Sequence, residues 1–295
     1  MSPVNNDSYF FSFYKESGCT SAEALDRLKR ALKVKKAGHC GTLDPMAEGL
    51  LVVAVNRATK LMRFVTDERK RYIGEFELGK RSPSYDIETP VETVDPGADS
   101  AQVDWERIKG IFNGKIRQIP PAYSAVRVDG VRSYVKARNG ETVDLPSKEI
   151  EIFSLDLTLL DRTRIAFTVD CSKGTYVRSL VHDIGAIAGS GAVLSKLTRA
   201  AVGAFTIDNA VLLAEVKDNP EKVERAKLGM IAFLGSFPAV TVGEALYWKL
   251  RNGIDIAGLG LELAEGPNAI FYKGTPFFVI EKERGVYRYS AFLGE

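Results

Sequence analysis

The chain has 295 residues, 45% of them hydrophobic and 26% charged, with a formal net charge of +2 at pH 7. This is an ordinary globular composition, long enough for one large domain and one small one, with a core that needs no disulfide or metal. Cys19, Cys40 and Cys171 are odd in number and widely spaced, and His39 and His182 are the only histidines, which argues for a reducing cytoplasm and against a zinc site. No basic segment with an apolar signal core opens the chain, and no apolar run of about 18 residues occurs, so neither secretion nor a helical membrane span is expected.

Residues 1–12 form a ragged start that leads into a first strand. Thr20 and Glu23 have capping-box spacing, and Leu25, Leu28 and Leu32 repeat at helical spacing behind them. The spacing places these leucines on the core and the basic residues of that helix outside. The unbroken apolar run Leu50–Val55 reads as a buried strand. Tyr72, Phe76 and Leu78 alternate with Ile73, Glu75 and Glu77, as in a half-buried strand. Ser82 to Ser100 is rich in Ser, Pro, Asp and Gly and reads as loop. A short helix is expected over Val103–Phe112, closed by Asn113-Gly114. Ile150–Leu159 and Ile165–Cys171, joined by a polar turn, predict an antiparallel hairpin. Val177, Leu180, Val181 and Ile184 share one face of a helix with Gly185 near its end. Asn209 to Leu234 is charged and helical in character, and short β-like pieces follow Pro238 up to Glu295. A domain boundary is expected near 236–240.

Net charge alone points to no polyanion, but its distribution does. Arg27, Lys29, Arg30, Lys33, Lys35 and Lys36 form one basic cluster; Arg57, Lys60, Arg63, Arg69, Lys70 and Arg71 form a second. One such cluster is commonly a solvated helix face. Two that bracket one motif favour a phosphate backbone, since each neutralised phosphate releases counterions.

That motif is Gly38-His39-Cys40-Gly41-Thr42-Leu43-Asp44-Pro45, continued by Met46-Ala47-Glu48-Gly49-Leu50-Leu51. Read locally, Asp44 is a helix N-cap with Pro45 at the first helical position and Gly49 ending a single turn. Gly38 and Gly41 give a second reading, in which a close-approach loop presents Asp44 on the rigid support of the following strand. The stretch resembles the signature of the TruB family of tRNA pseudouridine synthases, G-H-x-G-T-L-D-P-x-A-x-G-x-L. Family-like segments follow in order: Ala58-Thr59-Lys60, Lys70-Arg71-Tyr72, Pro120 to Val126 with Asp129-Gly130, Cys171 to Leu180 with Asp183-Ile184-Gly185, and Leu197-Thr198-Arg199. The resemblance covers roughly residues 9–210. The chain departs from it at Glu16, at Asn56-Arg57, and at Ser82 and Ser84.

The resemblance implies a mixed α/β (α+β) architecture, the pseudouridine synthase fold. It has a central, mostly antiparallel mixed sheet flanked by helices, with a small C-terminal β-rich, PUA-like domain. The domains are expected over 1–237 (catalytic) and 238–295 (RNA-binding). It implies isomerisation of uridine to pseudouridine at position 55 in the T-arm of tRNA, without cofactor or metal. The reaction breaks a C–N glycosidic bond and rejoins the base through carbon, so no redox carrier is needed. The target base must be flipped out, and stacking on an aromatic ring offsets part of that cost. In this reading Asp44 is the nucleophile or proton-handling carboxylate, Arg178 its partner, and Tyr72 the ring that stacks on uracil and offers a base. Tyr176 and Leu197 pack around the base, His39 enters the T-loop, and Lys60 supports the active-site region. The partner expected is the tRNA T-arm stem-loop, met by a monomer with no obligatory protein partner. Two other readings remain open: a non-catalytic RNA-binding protein on the same scaffold, and a synthase that works only with a guide RNA.

Overall fold

The computed structural model describes residues 7–124, 126–128 and 130–294. Residues 1–6 of the expected ragged start, Ala125 and Asp129 of the family-like segments, and Glu295 lie outside the described residues. The elements that matter here are β1 (Tyr9–Lys15), α1 (Ser21–Leu32), β2 (Ala37–His39), β3 (Glu48–Val55), α2 (Met62–Thr66) and β4 (Lys70–Leu78). There follow α3 (Trp105–Phe112), β5 (Gly114–Gln118), β6 (Lys148–Leu159), β7 (Arg164–Cys171), α4 (Val177–Ile187), β8 (Ala192–Val202) and β9 (Lys227–Gly229). The sheet runs β9-β1-β3-β8-β4-β7-β6-β5, with β2 paired to β3. Its described pairings are antiparallel except β3–β8, which run parallel through Thr198 opposite Glu48 and Arg199 opposite Gly49.

Local chemistry accounts for the elements. Thr20 accepts the Glu23 N–H at 3.2 Å while Glu23 accepts the Thr20 N–H at 2.8 Å, the reciprocal capping box expected at the start of α1. α3 starts two residues later than the pattern suggested, because the Asp104 side chain caps it by accepting the Arg107 N–H. In β3, Leu50, Val52 and Ala54 face one apolar cluster and Leu51, Val53 and Val55 another. Covered on both faces, the strand reads as a continuous apolar run. β4 alternates as expected, with Tyr72, Phe76 and Leu78 packed under α3 and α4.

Two expectations need correction. The segment Asn209–Leu234 is not one helical stretch. It holds short helices at Glu215–Asp218, Pro220–Arg225 and Met230–Leu234, and β9. Pro220 restarts the chain as a helix with Asn219 as its cap, and β9 leaves it to pair Gly229 with Tyr9 at the sheet edge. Gly49 does not end a helical turn either. It lies inside β3 at φ 101°, where a Cβ would sit 2.6 Å from the Arg199 carbonyl oxygen, so the parallel approach of β8 requires glycine.

The C-terminal part is a strand-rich domain. β10 (Ala239–Thr241), α5 (Glu244–Arg251), β11 (Gly266–Tyr272), β12 (Thr275–Glu283) and β13 (Val286–Phe292) form a four-stranded sheet and its helix, around Leu250, Ile270, Phe278 and Ile280. Ala269, Val279, Ala291 and Leu293 join the cluster of Leu50 and Val52, so this domain packs on the central sheet. Arg63 on α2 pairs with Glu281 across the same junction.

Gly185 fixes how α4 sits on the sheet. A Cβ there would lie 2.2 Å from the Ala192 backbone nitrogen. Gly185→Ala is therefore expected to lower the unfolding free energy by about 2–3 kcal/mol, read as a lower urea midpoint with an unchanged slope.

Candidate active site

Between β2 and β3 the chain forms a loop that carries Asp44. Asp44, Pro45, Met46 and Ala47 make a β-turn, closed by the Ala47 N–H on the Asp44 carbonyl at 3.1 Å, and no helix follows. The loop's carbonyls from Gly41 to Ala47 are all taken up, as buried polar groups must be. The Ser21 hydroxyl accepts the Leu43 N–H at 2.8 Å and donates to the Leu43 carbonyl at 3.0 Å. Gly18 N–H reaches the Pro45 carbonyl at 2.9 Å, and the Ser17 hydroxyl reaches that of Met46 at 2.8 Å. Two fully buried cations complete the cradle. Lys15 Nζ donates to the carbonyls of Ala47 at 2.6 Å and Pro45 at 3.2 Å. Arg199 donates to those of Leu50 at 2.8 Å, Gly41 at 3.1 Å and Thr42 at 3.4 Å. Burial pulls the Lys15 amine below its ordinary range. Glu16, a departure from the family pattern, is exposed and leaves these bonds in place.

Asp44 is not a helix cap. Its carboxylate lies in the fork of Arg178, with Nε 2.9 Å from Oδ2 and Nη2 2.9 Å from Oδ1. The Nη2 bond is aligned and the Nε contact is an ion pair, so the guanidinium sets the carboxylate's orientation as well as its charge. Arg178 stands in the first turn of α4, and its side chain is 5% exposed against 33% for Asp44, so the carboxylate is the member of the pair that solvent can reach. The guanidinium also donates to the carbonyls of Tyr123 at 3.0 Å and Ser84 at 3.3 Å. The Asp86 Oδ2 lies 3.5 Å from its Nε, without a hydrogen bond. Asp86 is fully buried, which raises its pKa; bonds from the Ser84 hydroxyl and Glu88 N–H and the Arg178 charge act the other way. Ser82 donates to the Asp86 carbonyl at 2.6 Å, so both departures at 82 and 84 keep a hydroxyl at work. Asn56, another departure, stands at φ 53°, a conformation that glycine takes freely and asparagine tolerates best among the rest.

Around this pair the fold gathers most of the expected site. Tyr72 sits opposite Arg199 in the β4–β8 register, and Leu197 sits opposite Gly74. Tyr72 and Leu197 share an apolar cluster with Leu43 and Ala47. Burial raises the Tyr72 phenol, the nearby Arg199 lowers it, and the Asp44 charge raises it further. Tyr176 precedes α4, its backbone bracketed by Gln118, which accepts its N–H at 2.8 Å and donates to its carbonyl at 3.1 Å. Burial lifts its phenol too, and both Arg178 and Asp44 act on it. His39, on β2, is half-buried, and its pKa is lowered by that burial and then by Arg199.

Lys60 is not brought to Asp44. It lies exposed in the short 3₁₀ helix Asn56–Leu61, 5.2 Å from the Phe292 ring of β13, and desolvation and then the charges of Lys36 and Arg57 lower its pKa. The second basic cluster is also partly structural. Lys70 is buried, donating to the carbonyls of Thr66 at 2.6 Å and Glu68 at 2.5 Å, and Arg71 is bidentate with Asp170. Sequence reasoning assigned no role to Lys15, Asp86, Glu88, Gln118 or Arg199. For Arg199 the signal was present in the family-like Leu197-Thr198-Arg199. For Asp86 there was only a polar loop.

The comparisons with known proteins bear on the family and the fold. Residues 29–177 match the model of the TruB family pseudouridylate synthase (N terminal domain). The chain is 37% identical over 290 residues to tRNA pseudouridine synthase B of Lactobacillus acidophilus, covering 95% of this chain and 96% of that one. To tRNA pseudouridine synthase B of Syntrophomonas wolfei it is 40% identical over 257 residues, 85% of each. A chain of the solved H/ACA RNP bound to a substrate RNA containing 2'-deoxyuridine superposes with a TM-score of 0.67 at 20% identity, over 97% of this chain and 84% of that chain, which speaks for the fold. With an unbroken signature, full-length relatives and the aspartate–arginine pair at the mouth of its site, the chain belongs to the TruB family of pseudouridylate synthases.

Proposed function

We propose that this chain isomerises uridine to pseudouridine in the T-arm of tRNA, at position 55, as a single subunit in the cytoplasm and without a cofactor. The observation that carries this reading is the Asp44 carboxylate, held rigidly in the Arg178 fork yet 33% exposed beside Tyr72, Tyr176 and Leu197. Asp44 is placed to act on the sugar or its protons when the N1–C1′ bond breaks. The uracil then turns, C5 bonds to C1′, and the C5 proton is replaced by one at N1, so atoms and charge balance with no further reagent. Tyr72 gives the flipped base a stacking face, worth about 1–3 kcal/mol. Its raised phenol pKa keeps the proton on at neutral pH, which favours stacking over service as a base. His39 at the loop's edge fills the space that the base leaves.

The RNA backbone meets Lys33, Lys35, Lys36 and Arg69, with Lys60 and Arg57 at the junction with the C-terminal domain. We assign the PUA-like, RNA-binding role to residues 238–295. There Tyr247 stacks on Tyr272 at 4.1 Å, Arg251 lies 5.4 Å from the Trp248 ring, and Trp248 is 49% exposed. Aromatic faces among cations suit single-stranded or looped RNA. With roughly four to six phosphates neutralised, tRNA affinity is expected to fall about 100- to 1,000-fold between 50 and 200 mM salt. A salt-insensitive affinity would remove the electropositive face from this reading. The deciding assay is tritium release from 5-tritiated uridine in a T-arm stem-loop by the purified chain alone. Release supports a stand-alone synthase. Tight binding without release would leave a binding protein, and release only with an added guide RNA would leave a guided enzyme.

A further inference from the structure

The catalytic turn and the loop that buries Asp86 are tied to each other at two points. Each places an aspartate at one position, Asp44 or Asp86, and a second bonding group two residues on, Met46 or Glu88. Arg178 lies between the two aspartates, 2.9 Å from the Asp44 carboxylate and 3.5 Å from that of Asp86. At the other end, the Met46 N–H donates to Glu88 Oε1 at 2.7 Å. Glu88 is tied at its own end too, its backbone N–H donating to Asp86 Oδ1 at 2.9 Å. The result is a closed ring running Asp44, Arg178, Asp86, Glu88, Met46 and back along the turn to Asp44. It has two clasps, one buried and one at the surface.

We infer that Glu88 is a positioning residue for the isomerisation, holding the Asp44 turn at the angle at which its carboxylate stays seated in the Arg178 fork while its outer edge faces the RNA. The inference rests on the proposed activity of the same site. Lys15, Ser17 and Gly18 bond the turn's carbonyls from the side of β1 and α1. Glu88 alone, among the described residues, takes a turn amide from the side of the Asp86 loop. Without it the turn keeps its place in the fold but gains a hinge about the Asp44–Arg178 pair. Small misplacements of a reacting group cost rate far more than they cost binding. The needed property is an acceptor of the right length, so glutamine replaces glutamate and alanine does not.

The test compares wild type, Glu88→Ala and Glu88→Gln for single-turnover pseudouridine formation and for tRNA affinity, with melting temperature as the control for folding. Glu88→Ala is expected to slow the chemical step about 10-fold. Its tRNA affinity should stay within about 2-fold, and Glu88→Gln should return to within about 2-fold of wild type in rate. Three results would overturn the inference: an unaltered rate in Glu88→Ala, a Glu88→Gln as slow as Glu88→Ala, or a loss confined to affinity. A wild type that forms no pseudouridine on the same RNA would instead remove the proposed function itself, which keeps the two failures apart.

Discussion

Asp44→Asn is expected to lose pseudouridine formation by on the order of 10⁴-fold or more, as when a reacting nucleophile is deleted, while keeping tRNA affinity within a few fold. The amide is nearly isosteric, so the β-turn through Ala47 and the contacts of Lys15 and Arg199 with the loop backbone should survive. What fails is the pairing with Arg178. Oδ1 of Asp44 accepts from Nη2 and Oδ2 lies 2.9 Å from Nε, so the asparagine NH2 would face a donor with a donor. Arg178 keeps its bonds to the Tyr123 and Ser84 carbonyls and its neighbour Asp86, so the fold should lose little. Single-turnover kinetics, filter binding and a melting curve on one preparation decide it. A variant that melts far below wild type would make Asp44 a structural group after all.

How far the sequence goes depends on what each signal is made of. The capping box of α1, the two-sided apolar run of β3, the alternation of β4 and the β6–β7 hairpin are local patterns, and each appears where its pattern placed it. β9 has no such pattern. A three-residue edge strand offers no period, and only the free edge of β1 recruits it. At Asp44 the local reading as a helix start fails although Asp-Pro is a sound capping signal, because the partner that wins, Arg178, is 134 residues away and only the motif resemblance pointed to it. Motif resemblance recovered Asp44, Tyr72, Arg178, Tyr176 and Leu197 as one group. It did not locate Lys60, whose neighbours are set by the docking of the C-terminal domain. The burial of Lys15, Lys70 and Arg199 was not legible for a different reason. Buried cations are rare, so composition assigns such residues to the surface, and only the carbonyls that surround them explain their burial.

Arg178→Ala should cost both activity and stability, and the two losses should separate. Removing the guanidinium frees Asp44 and also leaves Asp86 fully buried without a cation beside it. Breaking a buried pair in this way costs about 3–5 kcal/mol, because the charge left behind is uncompensated. Arg178→Lys should rescue little, since one ammonium cannot span both Asp44 oxygens and the carbonyls of Ser84 and Tyr123. The pH dependence has a definite sign. Burial already holds the Asp86 pKa above its unfolded value, and losing Arg178 removes an interaction that lowers it. The folded variant therefore binds a proton that the unfolded chain does not, and its stability falls as pH rises from the unfolded aspartate range through the raised folded value. The stability gap to wild type should narrow on acidification toward pH 5. Adding Asp86→Asn to Arg178→Ala should then recover stability at neutral pH and leave the activity lost, a non-additivity that residues in direct contact are expected to show. If the double variant unfolds no later than Arg178→Ala in urea, the buried charge of Asp86 is not what Arg178 offsets. Its contribution to stability would then lie in the carbonyls of Ser84 and Tyr123 alone.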